Sequence, residues 1–481
     1  MIETLDLALI NGITQDSRSV KKGYVFAALP GAKFDGRHYI ADAVANGAVV
    51  ILAPAGTAWP DNVPRGTVQL ITEDNPRRAL ALLAARFYNQ QPRFIAAVTG
   101  TNGKTSTVHF TKQIWSARNI KAASIGTLGV RGPGLIRSGS MTTPDPVSLH
   151  AELADLAAAG ITHLAMEASS HGLDQYRLDG VKVRAAGFTN LTRDHLDYHG
   201  DMESYARAKA RLFGEVLQSD GVAVLNADIA EFATLSTLVK ARGIRVLSYG
   251  YEAQDLRVIR AVPTPQGQQL TLEIMGRSYE ILLPVVGSFQ VMNALCALGL
   301  VLAEHGEDKV LVPDYVTALG QLQGPPGRLQ AVPGHPRGAA VYIDYAHTPD
   351  ALETVLKALR PHTHGRLVCL FGCGGDRDRG KRPIMGQIAH NLADHVIITD
   401  DNPRSENPAS IRQAILAAAP GAQEIGDRHE SIRAAIVQLQ AGDVLVIAGK
   451  GHEPGQIFAD RTDPFDDFKE ANQAIEELIR Q

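Results

Sequence analysis

The stretch "AVTGTNGKTST" sets Gly100 and Gly103 around the small polar pair Thr101 and Asn102, and follows them with Lys104, Thr105 and Ser106. Glycines so placed allow tight backbone turns, which lets successive N–H groups and the start of a following helix face an anion. Lys104 would reach the β- and γ-phosphates of a nucleoside triphosphate, and the Thr105 hydroxyl would ligate Mg²⁺. One position departs from the usual G-x-x-x-x-G-K-[ST] form, because Val98 stands where the first glycine belongs. The bland alternative is a Gly-rich turn with a solvated lysine. The strand-like run before the turn and the helical pattern after it argue for the phosphate loop.

Further along, Glu167 closes the apolar run "ITHLAME" just before the polar turn "ASSHGLDQYRLDG". A carboxylate at the end of a central strand is where a metal ligand would face bound phosphates. The segment "NLTRDHLDYHGDMESYARAKARLF" gathers Asp194, His195, Asp197 and His199. One or two of these could ligate metal, while Asp197 and His199 serve equally well in a charged loop capping the next helix. Lys209, four residues after Tyr205, is by spacing alone an ordinary lysine of a helix surface.

The tetrapeptide DNPR occurs twice, at residues 74–77 and 401–404. In the first copy Asp74 or Asn75 can cap a helix, Pro76 suits its first position, and Leu80, Leu83, Ala84 and Phe87 recur at helical spacing. Arg77 is then expected in solvent. The second copy follows the strand-like "HVIITD" and precedes "SENPASIRQAI". There the helix can start later, leaving Asp401, Asn402, Pro403 and Arg404 as a loop at the carboxyl end of a strand. A guanidinium in such a loop can grip a carboxylate with two hydrogen bonds.

These residues need elements to hold them. "FIAAVT" reads as a strand feeding the phosphate loop and a helix, and alternation continues through "ITHLAMEASSHG", "VRAAGFTN", "GVAVLNADI" and "GIRVLSYG", which predicts a mainly parallel central sheet. "LRVIRAVPTPQGQQLTLEIMGRSYEILLPVVG" alternates like antiparallel strands joined by turns, a small sheet appended to the central domain. Gly and Pro crowd residues 324–338, which marks a hinge or linker. Beyond it, "AVYIDY", "RLVCLFG", "HVIITD" and "DVLVIAG" alternate with helical segments, a doubly wound Rossmann-like pattern with ligands at the carboxyl ends of its strands. Three α/β domains are expected, over residues 1–90, 91–325 and 326–481.

Composition fits that picture. A chain of 481 residues exceeds one core, and 45% hydrophobic with 20% charged residues is the profile of a globular α/β protein. A net charge of −4 without a Lys/Arg block leaves no footprint for nucleic acid or an anionic membrane, so small-molecule chemistry is expected. The three cysteines, Cys296, Cys369 and Cys373, offer neither a disulfide framework nor a zinc site of familiar spacing. No secretion signal and no apolar run of about 18 residues is present, and a cytoplasmic location is expected.

The stretches "TGTNGKTST", "MEASSHGLDQYR", "NLTRDHLDYHG", "AKARLF", "GPPGRLQ", "DYAHTPDAL", "GGDRDRGKR", "DDNPRSE" and "GKGHE" stand in one order across most of the chain. The set resembles the Mur ligases, and among them those that add the third residue of the peptidoglycan stem peptide. The resemblance implies an N-terminal domain for a UDP-sugar, a central P-loop ATPase domain and a C-terminal amino-acid-binding domain. It implies that Gly100, Thr101, Asn102, Gly103, Lys104, Thr105 and Ser106 hold ATP, with Asn293, Arg328 and Asp344 at its base or ribose; position 290, Asn in the family, is Gln290 here. Thr105 and Glu167 would support one Mg²⁺ and His195 another, with Lys209 as the lysine that CO₂ carbamylates into a carboxylate-like ligand. For the UDP-MurNAc-dipeptide the matching residues are Ser17, Ala32, Lys33, Phe34, Thr142, Thr143, Ser169, Gln175 and Arg177. For the incoming amino acid they are Arg377, Asp401, Asn402, Pro403, Arg404, Gly449 and Glu453, the last at the distal ammonium.

The reaction this implies is amide formation: the D-Glu γ-carboxylate of UDP-MurNAc-L-Ala-D-Glu takes the γ-phosphoryl group of ATP, and an amine displaces phosphate from the acyl phosphate. meso-Diaminopimelate is the expected amine, because an arginine rewards its extra carboxylate and would stand unpaired against L-lysine. Closure about the Gly/Pro-rich hinge would keep water from the acyl phosphate. The alternatives are a lysine-adding homologue, a folylpolyglutamate synthetase-like ligase, which needs neither the N-terminal domain nor DNPR, and a P-loop scaffold that ligates nothing. A monomer is expected.

Overall fold

The structure is a computed structural model and describes every residue except 1, 32, 33, 65, 67, 140, 307, 308 and 481. The chain packs as two compact units, Met1–Ser248 with Gly299–Glu307, and Tyr249–Leu298 with Asp308–Gln481.

The first unit opens with four parallel strands in sequential order: β1 (Gly12–Thr14), β2 (Tyr24–Ala27), β3 (Ala48–Pro54) and β4 (Gln69–Glu73). Successive residues of a strand point to opposite faces. Accordingly Val25 and Leu52 enter one core with Leu80, Leu83 and Ala84, while Phe26 and Ile51 enter another with Ile40 and Ala43. The helix Pro76–Tyr88 that closes the first core starts as the first DNPR predicts: Asn75 caps it by accepting from the Arg78 N–H at 3.0 Å, and Pro76 stands in its first turn.

The second sheet of this unit contains β5 (Phe94–Thr99), β6 (Ala122–Gly126), β7 (Gly129–Gly132), β8 (Leu135–Arg137), β9 (His163–Glu167), β10 (Val183–Phe188) and β11 (Leu217–Asn226). Their order is β11-β10-β5-β9-β6-β7-β8, parallel from β11 to β6 with β7 and β8 turned back as hairpins. The wholly buried β5 lies between β9 and β10. The connection after β5 leaves toward β6 and the one after the adjacent β10 leaves the opposite way toward β11, which opens a crevice at their carboxyl ends, the place where doubly wound sheets bind ligands.

The chain passes into the second unit within β12 (Arg245–Gly250). There β13 (Leu256–Thr264), β14 (Gly267–Ile274) and β15 (Arg277–Leu283) form the antiparallel meander that the alternating sequence predicts. The last sheet comprises β16 (Gln330–Val332), β17 (Ala340–Asp344), β18 (Leu367–Phe371), β19 (His395–Ile398), β20 (Gln423–Glu424) and β21 (Val444–Ala448), in the order β16-β17-β21-β18-β19-β20. All are parallel except β16. Its two faces feed two cores, Cys369 and Phe371 to one, Val368 and Leu370 to the other. The Gly/Pro-rich stretch is not wholly linker, because β16 forms inside it and pairs with β17. All three cysteines are buried and free. Among the described residues, no helix is long and apolar enough to cross a membrane.

Candidate active site

At the carboxyl end of β5 the backbone turns through Gly100 (φ 144°) and Gly103 (φ 87°), and the helix Lys104–Ala117 begins. Both glycines hold conformations that side chains rarely adopt, and a Cβ on Gly100 would sit 1.9 Å from Thr189 Oγ1. The loop is tied to the chain just after β10. Asn190 accepts from the Thr101 N–H through its carbonyl and from the Asn102 N–H through Oδ1, both at 2.9 Å, and Thr189 Oγ1 donates to the Asn102 carbonyl at 2.6 Å. Val98, the departure from the usual motif, is a buried strand residue paired with Glu167 on one side and Gly187 on the other. The turn therefore starts after Val98, and no glycine is needed there.

Glu167 at the end of β9 is buried beside this loop. Its Oε1 accepts from Thr105 Oγ1 at 3.0 Å and from the Thr127 N–H at 2.8 Å, and its Oε2 from Thr127 Oγ1 at 3.3 Å. Burial raises its pKa, opposed by the Lys104 charge and these hydrogen bonds. Lys104 Nζ donates to the carbonyls of Gly100 and Thr101 at 2.9 and 2.8 Å. Lys209 is no surface lysine: it is 1% exposed, and its Nζ donates to the same Gly100 carbonyl at 2.8 Å. Burial, with Lys104 nearby, lowers its pKa to about 6.

Tyr205, with no chemical signal in the sequence, is the hub of this corner. Lys209 Nζ lies 4.3 Å from its ring centre, its hydroxyl is 3.2 Å from Thr101 Oγ1, and the rings of His195 and His199 stand 6.2 and 5.2 Å away. His195 is half-exposed at a φ of 52°, with its ring 5.0 Å from that of His171. His199 accompanies it and bonds Ser170 Oγ at 3.0 Å. Among the described residues, no group of three or more His, Cys, Asp or Glu side chains is gathered to hold a metal ion. The oxygens that converge on the loop are instead the Glu167 carboxylate and the Thr105 hydroxyl.

Next to Glu167, Thr143 Oγ1 donates to the Glu167 carbonyl at 2.9 Å, and its own carbonyl accepts from Arg177 Nη1 at 2.7 Å. Arg177 also donates to Gln175 Oε1 through Nη2 at 2.8 Å, Thr142 Oγ1 lies 3.2 Å from Thr127 Oγ1, and Ser169 Oγ caps the short helix Ser170–Asp174. The structure thus brings Thr142, Thr143, Ser169, Gln175 and Arg177 together. Ser17 lies in a 3₁₀ turn after β1, Phe34 is exposed, and Ala32 and Lys33 lie outside the described residues. Arg77 corrects the sequence reading: it is half-buried, donates to the Pro30 carbonyl at 2.6 Å, and lines a cleft with Gln175 and Arg177.

In the second unit, the second DNPR is a loop after β19, and the next helix waits until Pro408–Leu416. Arg404 adopts a φ of 51°, uncommon for a side-chain-bearing residue. Its N–H donates to the Ile457 carbonyl at 3.0 Å and its Nη1 to the Gly375 carbonyl at 2.9 Å, and it forms no ion pair among the described residues. Arg377 is exposed on the neighbouring loop, which Asp376 fastens by accepting from Ser405 Oγ at 2.7 Å. Asn402 donates to Glu453 Oε2 and accepts from the buried Lys450, both at 2.9 Å. Gly449 (φ 115°) passes close to Asp401, and a Cβ there would lie 3.2 Å from Asp401 Oδ2. The Gly449 N–H donates to the Asp344 carbonyl at 3.1 Å, and Asp344 Oδ2 accepts from the Leu329 N–H at 2.8 Å, beside Arg328. Asn293 donates to Gln290 Oε1 at 2.9 Å, so the glutamine supports its neighbour. Lys450 and Tyr205, like Thr127 on Glu167 and Asn190 on the phosphate loop, are polar residues that sequence reasoning passed over; a lone lysine or tyrosine in a polar motif carries no signal of burial.

A triphosphate-type loop at a sheet's switch point, a buried carboxylate beside it and three α/β domains define a P-loop nucleotide-dependent enzyme. Three family models match in order: the Mur ligase family catalytic domain over residues 9–88, the Mur ligase middle domain over 98–301, and the Mur ligase glutamate ligase domain over 327–451. The chain belongs to the Mur ligase family. It is 53% identical over 474 residues to the UDP-N-acetylmuramoyl-L-alanyl-D-glutamate--2,6-diaminopimelate ligase of Caulobacter vibrioides, covering 97% of this chain and 96% of that one. The protein of the same name from Mesorhizobium japonicum is 52% identical over 468 residues, with 97% and 95% covered. A solved structure of a ligase of that name superposes with a TM-score of 0.76 at 35% identity, over 98% of this chain and 96% of that one. A Mycobacterium tuberculosis folylpolyglutamate synthase complexed with ADP and AMPPCP shares the fold, with a TM-score of 0.59 at 20% identity over 78% of this chain and 92% of that one.

Proposed function

We propose that this protein is an ATP-dependent amide ligase that joins meso-2,6-diaminopimelate to the D-Glu γ-carboxylate of UDP-MurNAc-L-Ala-D-Glu, a cytoplasmic step of peptidoglycan synthesis. The choice of acceptor rests on Arg404, whose backbone holds an uncommon φ of 51° in the loop after β19, whose guanidinium has no ion-pair partner among the described residues, and whose loop Asn402 joins to Glu453. Arg404 would take the distal carboxylate of the diacid and Glu453 the ammonium beside it, with Arg377, Asp401, Pro403 and Gly449 completing the pocket. L-Lysine offers Arg404 no carboxylate and would leave its charge uncompensated.

At the other end of the reaction, Lys104 would leave its loop carbonyls for the β- and γ-phosphates, drawing charge off the transferring group as the γ-carboxylate attacks. The hydroxyl of Thr105, 3.0 Å from the Glu167 carboxylate, gives the hard oxygen pair that suits Mg²⁺, which keeps substrate phosphates among its ligands. Bound there, Mg²⁺ would supply charge neutralisation at the phosphates. A second ion would draw on His195 and on Lys209 as its carbamate. Lys209, with a pKa near 6, is uncharged at neutral pH, so its lone pair can add to CO₂ with loss of a proton. The amine then displaces phosphate from the acyl phosphate, forming the amide.

The remaining assignments follow the family resemblance: residues 1–90 with Ser17, Ala32, Lys33 and Phe34 for the UDP-sugar, 91–325 for ATP, and 326–481 for the amino acid, with Asn293, Arg328 and Asp344 at the nucleotide's base or ribose. The test is coupled turnover. Phosphate release is expected only with ATP, the UDP-dipeptide and meso-diaminopimelate together, and turnover of ATP indifferent to the other two would contradict the reading.

A further inference from the structure

A cleft of about 170 Å³ in the first unit is lined by Gln15, Leu29, Arg77, Met141, Gln175 and Arg177, among others. It brings the N-terminal sheet's helix Pro76–Tyr88 against the turn that follows Glu167. Its electrostatics are uneven. Arg77 donates to the Pro30 carbonyl at 2.6 Å, and Arg177 to the Thr143 carbonyl and to Gln175 Oε1. All of these acceptors are neutral, and neither guanidinium forms an ion pair among the described residues. The carboxylate lining the same cleft, Asp145, is engaged at a helix start, where Oδ1 accepts from the N–H groups of Val147 and Ser148 at 3.0 and 3.1 Å. Two cations thus face one small space against one occupied anion. Burial lowers the pKa of Arg177, Asp145 and Tyr198 raise it, and the Arg77 charge lowers it again. Such a pair is costly unless an anion enters.

We infer that Arg77 is a substrate-binding residue, which with Arg177 grips an anionic group of the UDP-MurNAc-dipeptide. This rests on the substrate assignment above. The chemistry is that of anionic oxygens held by two guanidinium forks, and the substrate offers two sources, the diphosphate and the α-carboxylate of D-Glu. Thr143 joins Arg177 to the Glu167 carbonyl, so a γ-carboxylate reacting beside the phosphate loop would lie on the Glu167 side, apart from the two guanidinium groups.

Equilibrium binding to the full-length protein separates the possibilities. Arg77→Ala is expected to raise the Kd for UDP-MurNAc-L-Ala-D-Glu at least tenfold, roughly the worth of one charge-assisted hydrogen bond, while the Kd for ATP and the unliganded melting temperature hold. Arg77→Gln keeps a donor for the Pro30 carbonyl but no charge, and should show the same loss should the alanine variant fold poorly. With the α-amidated ligand, UDP-MurNAc-L-Ala-D-isoglutamine, the difference between wild type and variant disappears when the α-carboxylate is the partner. It persists, and extends to UDP-GlcNAc, when the diphosphate is. Wild-type affinity for the UDP-dipeptide in both variants would overturn the inference. Wild-type protein that binds ATP but not the UDP-dipeptide would instead overturn the substrate assignment.

Discussion

Arg404 and Lys209 carry the two sharpest claims at the scale of single residues. On the proposed assignment, removing the guanidinium would leave the diacid's far carboxylate unpaired, so Arg404→Ala should cut kcat/KM for meso-diaminopimelate by about 10²-fold or more, with no comparable loss for L-lysine in steady-state assays. Unchanged diaminopimelate kinetics would contradict the assignment. Lys209 is held below its ordinary pKa of 10.5, at about 6, by burial. The unfolded chain therefore binds the extra proton between those values, and this group's contribution to stability falls as pH drops from 10.5 to about 6, then levels off. The neutral amine is also the form that takes CO₂. With ¹³C-bicarbonate, a carbamate resonance should be present above about pH 6, fade below it, and be missing in Lys209→Arg. The sequence showed neither this burial nor the half-burial of Arg77, because a helix period places a residue on a face without saying what packs over that face. The placement of Lys104 and Glu167 was legible because one follows a glycine turn and the other ends a strand, and that of Arg404 because Pro408 lets the next helix start late and leaves DNPR as a loop.

At the scale of elements, the loops act as separable parts braced by close backbone approach. A Cβ on Gly375 would meet the Pro403 carbonyl at 1.9 Å. Gly375→Ala must therefore displace the DNPR loop, and KM for the amino acid should rise about tenfold or more while the Kd for ATP, read by calorimetry, stays put. The helix cap at Asn75 is structural: Asn75→Ala should cost about 1 kcal/mol in a denaturant titration and leave kcat unaltered. The parallel sheets were readable from uninterrupted apolar runs such as "FIAAVT", which only a strand buried on both faces requires. β16 was not readable, since three residues inside a Gly/Pro-rich stretch carry too little pattern to show a partner strand. The role of Val98 was hidden for a related reason: the motif fixes residue types, while the register with Glu167 and Gly187 fixes where the strand ends.

For the molecule as a whole, the central claim is that the phosphate loop, the dipeptide cleft and the DNPR loop serve one ligation with one preferred acceptor. The most direct test gives the protein ATP, Mg²⁺, UDP-MurNAc-L-Ala-D-Glu and an equimolar mixture of amino acids containing meso-diaminopimelate and L-lysine, then weighs the nucleotide product by mass spectrometry. A single product heavier by one diaminopimelate residue, formed with an equal amount of ADP, is the predicted result. A lysine adduct, a mixture of adducts, or ADP without any adduct would contradict it.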